Sequence, residues 1–122
     1  MTNEINRYLV PADGSQVEPI QTALALLSKL CQDFKRDGIL LVPTKGNVRG
    51  TTLEEALGTE IAKALLKGEQ VGLPGGQSLR LRTERTFRDS WTSDVIMGVY
   101  ANERMLDKID NARNAAAVIV VP

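Results

Sequence analysis

Two aliphatic residues followed by a proline occur three times in this chain, and this repeat constrains the fold more than any other feature. The copies are Leu9-Val10-Pro11, Leu41-Val42-Pro43 and Val120-Val121-Pro122. Each copy ends an apolar run short enough to be a buried strand, and a helix-forming stretch follows the first two. The pattern predicts a repeated strand–loop–helix unit and an α/β fold with a mostly parallel sheet. In such folds ligands bind at the carboxyl ends of the strands, where these prolines lie.

The apolar pattern predicts four or five strands in one three-layer, Rossmann-like domain that spans residues 1–122. We expect strands near residues 5–10, 39–42, 79–83, 94–100 and 117–121. Those that contain Leu41, Val99 and Ile119 are almost wholly apolar, which predicts parallel pairing under helices on both faces. The segment 79–83 alternates polar and apolar residues, which predicts an edge or antiparallel strand.

Three stretches with helical periodicity predict three main helices. Pro19 suits the first turn of the first helix. Thr52 and Glu55 have the spacing of a capping box for the second helix, which we expect to run to Gly68. Asn102 is placed to cap the third helix, so that residues 94–121 form a β-α-β unit.

The composition excludes several classes of protein. Fifteen basic residues balance fifteen acidic ones, so we expect no nucleic-acid partner. Histidine is absent and Cys31 is the only cysteine, which excludes histidine-dependent hydrolases, zinc knuckles and an intrachain disulfide. No apolar run approaches the roughly 18 residues of a membrane span. These features predict a cytoplasmic protein without a metal ion, and they do not specify a cofactor.

The loop after the second predicted strand is the best candidate for a ligand site. It precedes a predicted helix, whose free amides and dipole would attract an anion. Lys45 and Arg49 add positive charge, while Gly46 and Gly50 allow the backbone to approach a ligand. The loop matches neither G-x-x-x-x-G-K-[ST] nor G-x-G-x-x-G, so an ordinary solvated loop is the alternative.

Two further loops could contribute to the same crevice. Tyr100 could stack on a ring and Asn102 could bind an amide or a sugar, or they could only cover the sheet and cap a helix. Asp13 could contact a ribose or Mg²⁺, although Asp-Gly is also an ordinary turn. The predicted ligand-binding residues are Asp13, Lys45, Asn47, Arg49, Tyr100 and Asn102, with Arg49 the most important.

A basic segment with interspersed aromatic residues resembles a surface for single-stranded nucleic acid. Glu84 and Asp89 interrupt it, and the chain has no net charge, so a solvated face is the favoured interpretation. The basic and aromatic residues of the segment are Arg80, Arg82, Arg85, Phe87, Arg88 and Trp91.

Two functions are compatible with these patterns. The first is binding of a nucleotide or another phosphorylated small molecule in the crevice after the strands. The second is a non-catalytic interaction protein that acts through homo-oligomerisation or a protein partner. The last predicted strand ends at Pro122 with nothing after it to cover its outer edge, which favours a two-fold homodimer. Whether the protein is an enzyme stays open, because no nucleophile–base pair can be named.

Overall fold

Six strands and four α-helices form in the described part of the computed structural model, which comprises residues 6–10, 16–87, 94–112 and 114–121. The elements are β1 (Asn6–Leu9), α1 (Val17–Phe34), β2 (Gly38–Val42), a 3₁₀ turn (Lys45–Asn47), α2 (Thr52–Leu57), α3 (Thr59–Leu66), β3 (Val71–Gly72), β4 (Ser78–Thr83), β5 (Val95–Val99), α4 (Glu103–Asn111) and β6 (Ala117–Val121).

The strands form one sheet in the order β1-β6-β5-β2-β4-β3. Every neighbouring pair is parallel except β3 and β4, which are antiparallel. The predicted α/β fold is confirmed, and so is the parallel association of the strands at Leu41, Val99 and Ile119. The sheet has six strands rather than four or five, because the two-residue strand β3 is too short to produce an apolar pattern.

Apolar side chains on the two faces of the sheet belong to two separate clusters. Leu40 and Val42 of β2 belong to a large cluster that includes residues of α1, α2 and α3. Leu41, which lies between them, belongs to a second cluster with Met105 and Ile109 of α4. Because successive strand residues point to opposite faces, α4 packs on the face opposite to the other three helices. Coverage on both faces explains why all five residues of β2 are buried.

Helix α1 follows the predicted apolar stripe closely. Ile20, Leu27 and Leu30 are buried at steps of seven and three residues, as one face of a helix requires. The helix begins at Val17, which places Pro19 within its first turn, and Lys35 ends it in the left-handed conformation. No helix in the described part of the chain is long and apolar enough to cross a membrane.

The predicted second helix is broken into α2 and α3 at Gly58. This glycine has φ 91° and ψ 148°, a conformation that essentially only glycine adopts. The predicted capping box is also wrong, because Thr51 rather than Thr52 is the N-cap residue. The Thr51 hydroxyl does not cap the helix but donates to the carbonyl oxygens of Asn47 and Val48, each at 2.9 Å.

Strand β4 is not an edge strand, and its pairing is mixed: it is antiparallel to β3, as one of the two predicted alternatives requires, and parallel to β2. It pairs with β2 in parallel, with Val42 opposite Thr83, while β3 covers its other side. Leu79 and Leu81 are buried and alternate with half-buried arginines, as predicted. The alternation reports that one face of the strand is accessible to solvent, and it carries no information on the direction of pairing.

The predicted β-α-β unit near the carboxyl end of the chain is confirmed as β5, α4 and β6. A Cβ atom at Gly98 would lie 3.0 Å from Cδ1 of Ile109, so the missing side chain lets α4 pack closely on the sheet. The outer edge of β6 is covered by β1, which pairs with it in parallel, and Arg7 of β1 forms a 2.7 Å ion pair with Asp110 of α4. The expectation of an uncovered β6 is therefore wrong, and the exposed edge belongs to β1.

Candidate functional site

The connections that leave β2 and β5 meet where the strand order of the sheet reverses. From β2 the chain passes to β3 and β4 on one side, whereas from β5 it passes to β6 on the other. In parallel α/β sheets, such a switch point opens a crevice outside the carboxyl ends of the two central strands. The connection after β2 carries Lys45, Asn47 and Arg49, and the connection after β5 carries Tyr100 and Asn102.

The loop after β2 begins with a tight turn held by Asn47. The Oδ1 atom of Asn47 accepts hydrogen bonds from the backbone nitrogen and the hydroxyl of Thr44, at 3.0 and 2.9 Å. In return the backbone nitrogen of Asn47 donates to the carbonyl oxygen of Thr44 at 3.1 Å. The side-chain oxygen of this predicted ligand-binding residue is therefore engaged in shaping the loop.

Protein groups already contact amides at the start of α2. The backbone nitrogen of Gly50 donates to Oε2 of Glu54 at 2.7 Å. The backbone nitrogen of Leu53 donates to the hydroxyl of Tyr100 at 3.2 Å. An anion at this helix end would have to compete with both acceptors, which weakens the expectation that α2 presents free amides.

Tyr100 and Asn102 both have structural contacts. Tyr100 has φ 57°, in the left-handed region that a non-glycine residue rarely occupies, and this conformation directs the chain from β5 towards α4. Asn102 is the N-cap of α4, and its Oδ1 accepts from the backbone nitrogen of Met105 at 2.9 Å. The structure thus brings Tyr100 to the loop after β2 and gives Asn102 the capping role.

Arg49 lines a pocket of about 390 Å³ between the loop after β2 and α3. Lys63 and Lys67 also line it, so that three cations surround one carboxylate, Glu54. Half-buried Leu66 contributes an apolar surface. None of the three cations forms an ion pair with another residue in the described ranges. The pocket therefore has excess positive charge beside an apolar wall.

Lys45 lines a second pocket, of about 470 Å³, at the carboxyl ends of β2 and β4. Thr44 lies beside it on the β2 side, and Thr83, Arg85 and Thr86 lie on the β4 side. Lys45 and Arg49 thus line different pockets on the same loop. Asp13, the remaining predicted site residue, lies outside the described residues.

Sequence reasoning did not identify Lys63 and Lys67 as site residues. They are four residues apart, so that they lie on the same side of α3, but lysines at this spacing are common on solvated helix faces. Their proximity to Arg49 depends on the break at Gly58, which sets the direction of α3 relative to the loop. The sequence carries no local signal for that arrangement.

The basic segment after β4 is only partly available for binding. The side-chain oxygen of Gln70, with its amide turned to suit the contact, accepts from Nη2 and Nε of Arg80 at 2.8 and 3.1 Å. Arg82 donates to the carbonyl oxygen of Leu81 at 3.0 Å. Phe87 is only 4% exposed and cannot stack on a base. Arg88 and Trp91 lie outside the described residues.

Two carboxylates, Asp37 and Asp94, lie near one another at the amino-terminal ends of the central strands. Burial raises the pKa of Asp94, and the negative charge of Asp37 raises it further, while Arg80 and Arg36 oppose the shift. Burial, followed by the charges of the same two aspartates, raises the pKa of the Cys31 thiol to about 11. Within the described ranges, no group of three or more acidic or cysteine side chains is arranged to hold a metal ion.

Comparisons with models of protein families, with curated proteins and with solved structures gave no match. The sheet order and the loop geometry therefore define the class of this protein: an α/β protein with a mostly parallel sheet and cationic pockets beside the loop that follows β2.

Proposed function

We propose that the 122 residues form one three-layer, Rossmann-like domain that binds a nucleotide or another phosphorylated small molecule at the carboxyl ends of its strands. The apolar clusters on opposite faces of the sheet support the three layers. The reversal of strand order between β2 and β5 supports a ligand site at this end of the sheet, and the Arg49 pocket adjoins the loop that follows β2. Of the predicted site residues, Arg49 lines the pocket to which this proposal assigns the ligand, and it remains the most important one. Lys45 lines a different pocket, and Asn47, Tyr100 and Asn102 hold the neighbouring loops.

The observation that carries this proposal is the group of three cations at the Arg49 pocket. Arg49, Lys63 and Lys67 come from two elements that the fold brings together, and one carboxylate, Glu54, only partly compensates their charge. One oxygen of Glu54 is already engaged by the amide of Gly50. A dianion in the pocket would relieve the repulsion among the cations and could accept two parallel hydrogen bonds from the planar guanidinium. The half-buried side chain of Leu66 offers an apolar surface for the organic part of such a ligand.

The test is a binding series with nucleotides and sugar phosphates, followed by calorimetric titration of any compound that stabilises the protein. A ligand at one hundred times its dissociation constant should add about 2.7 kcal/mol to the free energy of unfolding. Replacement of Arg49 with alanine should weaken that ligand about tenfold or more, because a charge-assisted hydrogen bond is lost. Lys29→Ala, which removes an exposed cation from α1, is the matched control and should leave the affinity unchanged.

Stability separates a binding role of Arg49 from a structural one. Arg49 is exposed, so its replacement should change the free energy of unfolding by about 0.5 kcal/mol or less. If Arg49→Ala unfolds the protein, the residue is structural and this assignment is wrong. If no phosphorylated compound binds, the second function below is preferred.

The alternative function is that of an interaction protein that assembles as a homodimer. It is favoured by β1, which is the outermost strand of the sheet at one end. Its Leu9 side chain is 71% exposed and its Tyr8 side chain is 37% exposed. An edge strand offers backbone groups for pairing with a second copy, and a two-fold axis would pair the two β1 strands antiparallel.

The molecular mass in solution tests the alternative. Sedimentation at high concentration should give twice the 13.3 kDa mass of the chain if the protein is a dimer. Leu9→Lys should then produce a monomer, because a lysine on an edge strand opposes pairing. Phe34→Lys, an equivalent change at an exposed apolar residue of α1, should leave the dimer intact. A monomer for the unmodified chain would contradict the alternative.

We also propose that the protein is cytoplasmic and has no nucleic-acid partner. The buried, unpaired thiol of Cys31 supports a reducing compartment. The buried position of Phe87 and the engagement of Arg80 by Gln70 disfavour the basic segment as a surface for single strands. Absence of binding to single-stranded oligonucleotides at low salt is the expected result.

A further inference from the structure

We infer that the protein has a second oxyanion site, separate from the Arg49 pocket, between the points where the chain leaves β2 and β4. These strands are parallel neighbours with Val42 opposite Thr83, so that their carboxyl ends lie side by side. The pocket of about 470 Å³ between the two exits is lined by Lys45 from the first and Arg85 from the second. The inference goes beyond the function proposed above and does not depend on it.

The described charged side chains that line this pocket are both basic. Lys45 and Arg85 are both exposed, and neither forms an ion pair with a residue in the described part of the chain. Glu84, the acidic residue next to Arg85 in sequence, does not line the pocket. Its Oε1 lies 3.9 Å from Nη1 of Arg104 in α4. Its carbonyl oxygen accepts a hydrogen bond from Lys108 of the same helix. Because Glu84 approaches α4 instead, the two cations of the pocket have no negative partner among the described residues.

Both walls of the pocket are held by hydrogen bonds before any ligand binds. On the β4 side, the backbone nitrogen of Thr83 donates to the Thr86 hydroxyl at 2.8 Å, and that of Phe87 donates to the Thr83 carbonyl at 2.9 Å. The buried Phe87 ring anchors this turn on the sheet. On the β2 side, the bonds between Thr44 and Asn47 hold the chain beside Lys45. A preformed site loses less conformational entropy when it binds a ligand.

The side chains of the pocket suit a phosphate monoester. Two cations match the two negative charges of the ester, and the arginine fork can bind two of its oxygens. The hydroxyls of Thr83 and Thr86 are 3.3 Å apart, so that when Thr86 donates to Thr83, the Thr83 hydroxyl can donate to a ligand oxygen. The volume is within the range of small-molecule sites and leaves space for the organic group of the ester.

The test is an amide NMR titration of the whole chain, first with inorganic phosphate and then with glycerol 3-phosphate, with glycerol as the neutral control. The expected result is saturable shifts at residues 44–47 and 83–87. Arg85→Ala and Lys45→Ala should each weaken glycerol 3-phosphate about tenfold. Arg85→Lys should lose part of the affinity, because lysine keeps the charge but lacks the planar fork. Lys29→Ala should have no effect.

The position of the shifts separates this site from the Arg49 pocket. Shifts confined to residues 49–50 and 63–67 would support the Arg49 pocket and overturn the second site. Shifts that sodium chloride reproduces at equal ionic strength would show only general screening, and would also overturn it. Shifts at residues 44–47 and 83–87 that persist unchanged in folded Arg85→Ala would contradict the assigned role of Arg85.

Discussion

The hydroxyl of Tyr100 accepts a hydrogen bond from the backbone nitrogen of Leu53 at 3.2 Å, which ties the carboxyl end of β5 to the first turn of α2. The contact joins two connections that are 47 residues apart in sequence. Tyr100 reaches this position from a left-handed backbone conformation, which costs a non-glycine residue about 1–2 kcal/mol. The hydrogen bond therefore links the connection that follows β5 to the connection that follows β2.

Replacement of Tyr100 with phenylalanine should lower the free energy of unfolding by about 1 kcal/mol, because the partly buried amide of Leu53 loses its acceptor. Urea denaturation measures this difference. Tyr8→Phe is the matched control and should have little effect, since the hydroxyl of Tyr8 has no partner in the described residues. An unchanged midpoint for Tyr100→Phe would mean that water replaces the hydroxyl at no cost.

Gly58 should be intolerant of a side chain because of its own backbone conformation, not because of contacts with distant residues. Apart from its chain neighbours, a Cβ at this position would meet no atom within 4 Å, but the backbone has φ 91°. Gly58→Ala should therefore destabilise the protein by about 1–3 kcal/mol through backbone strain alone. Gly72→Ala, which is equally free of contacts but does not require a positive φ, should change stability by about 0.5 kcal/mol or less. Equal melting temperatures for the two variants would contradict this account.

Stability should depend on pH through Asp94. Its folded-state pKa lies above the ordinary value of 3.8, because of burial and the nearby charge of Asp37. Between pH 3.8 and the folded-state pKa, the folded protein binds more protons than the unfolded chain. Its free energy of unfolding therefore falls as pH rises through this interval. Asp94→Asn should remove this fall and gain stability relative to the unmodified protein between acidic and neutral pH. Asp107→Asn, which removes an exposed carboxylate from α4, is the control for the loss of one charge.

Cys31 should react with a disulfide reagent only when the protein unfolds. The thiol is buried in α1 and its pKa is raised to about 11, so almost no thiolate is present at neutral pH. Labelling of the native protein should be slow and should accelerate across the urea transition. Rapid labelling without denaturant would show that the carboxyl-terminal turns of α1 open locally.

Much of the fold could be predicted because its main elements carry local signals. Continuous apolar runs identified β2, β5 and β6, since strands covered on both faces exclude polar side chains. Helical periodicity identified α1, and a capping asparagine identified the start of α4. These signals lie within single segments of the chain, where hydrophobic spacing and the backbone conformation reinforce one another.

The errors concern features that depend on contacts between distant segments. β1 lies outside β6, although the two are separated by more than one hundred residues, and no pattern in either strand specifies its neighbour. The parallel pairing of β4 with β2 has the same origin. The break at Gly58 was missed because a glycine within an apolar period is also tolerated inside a helix.

The candidate site shows the same division. Positive charge on the loop after β2 could be read from Lys45 and Arg49, because these residues are close in sequence. Each of these cations shares its pocket with cations from a distant segment. Arg49 meets Lys63 and Lys67, at the carboxyl half of α3 and its C-cap, and Lys45 meets Arg85, which follows β4. Local hydrophobic spacing specifies which segments become strands and helices. The order of those strands, which long-range packing selects, determines which charges meet.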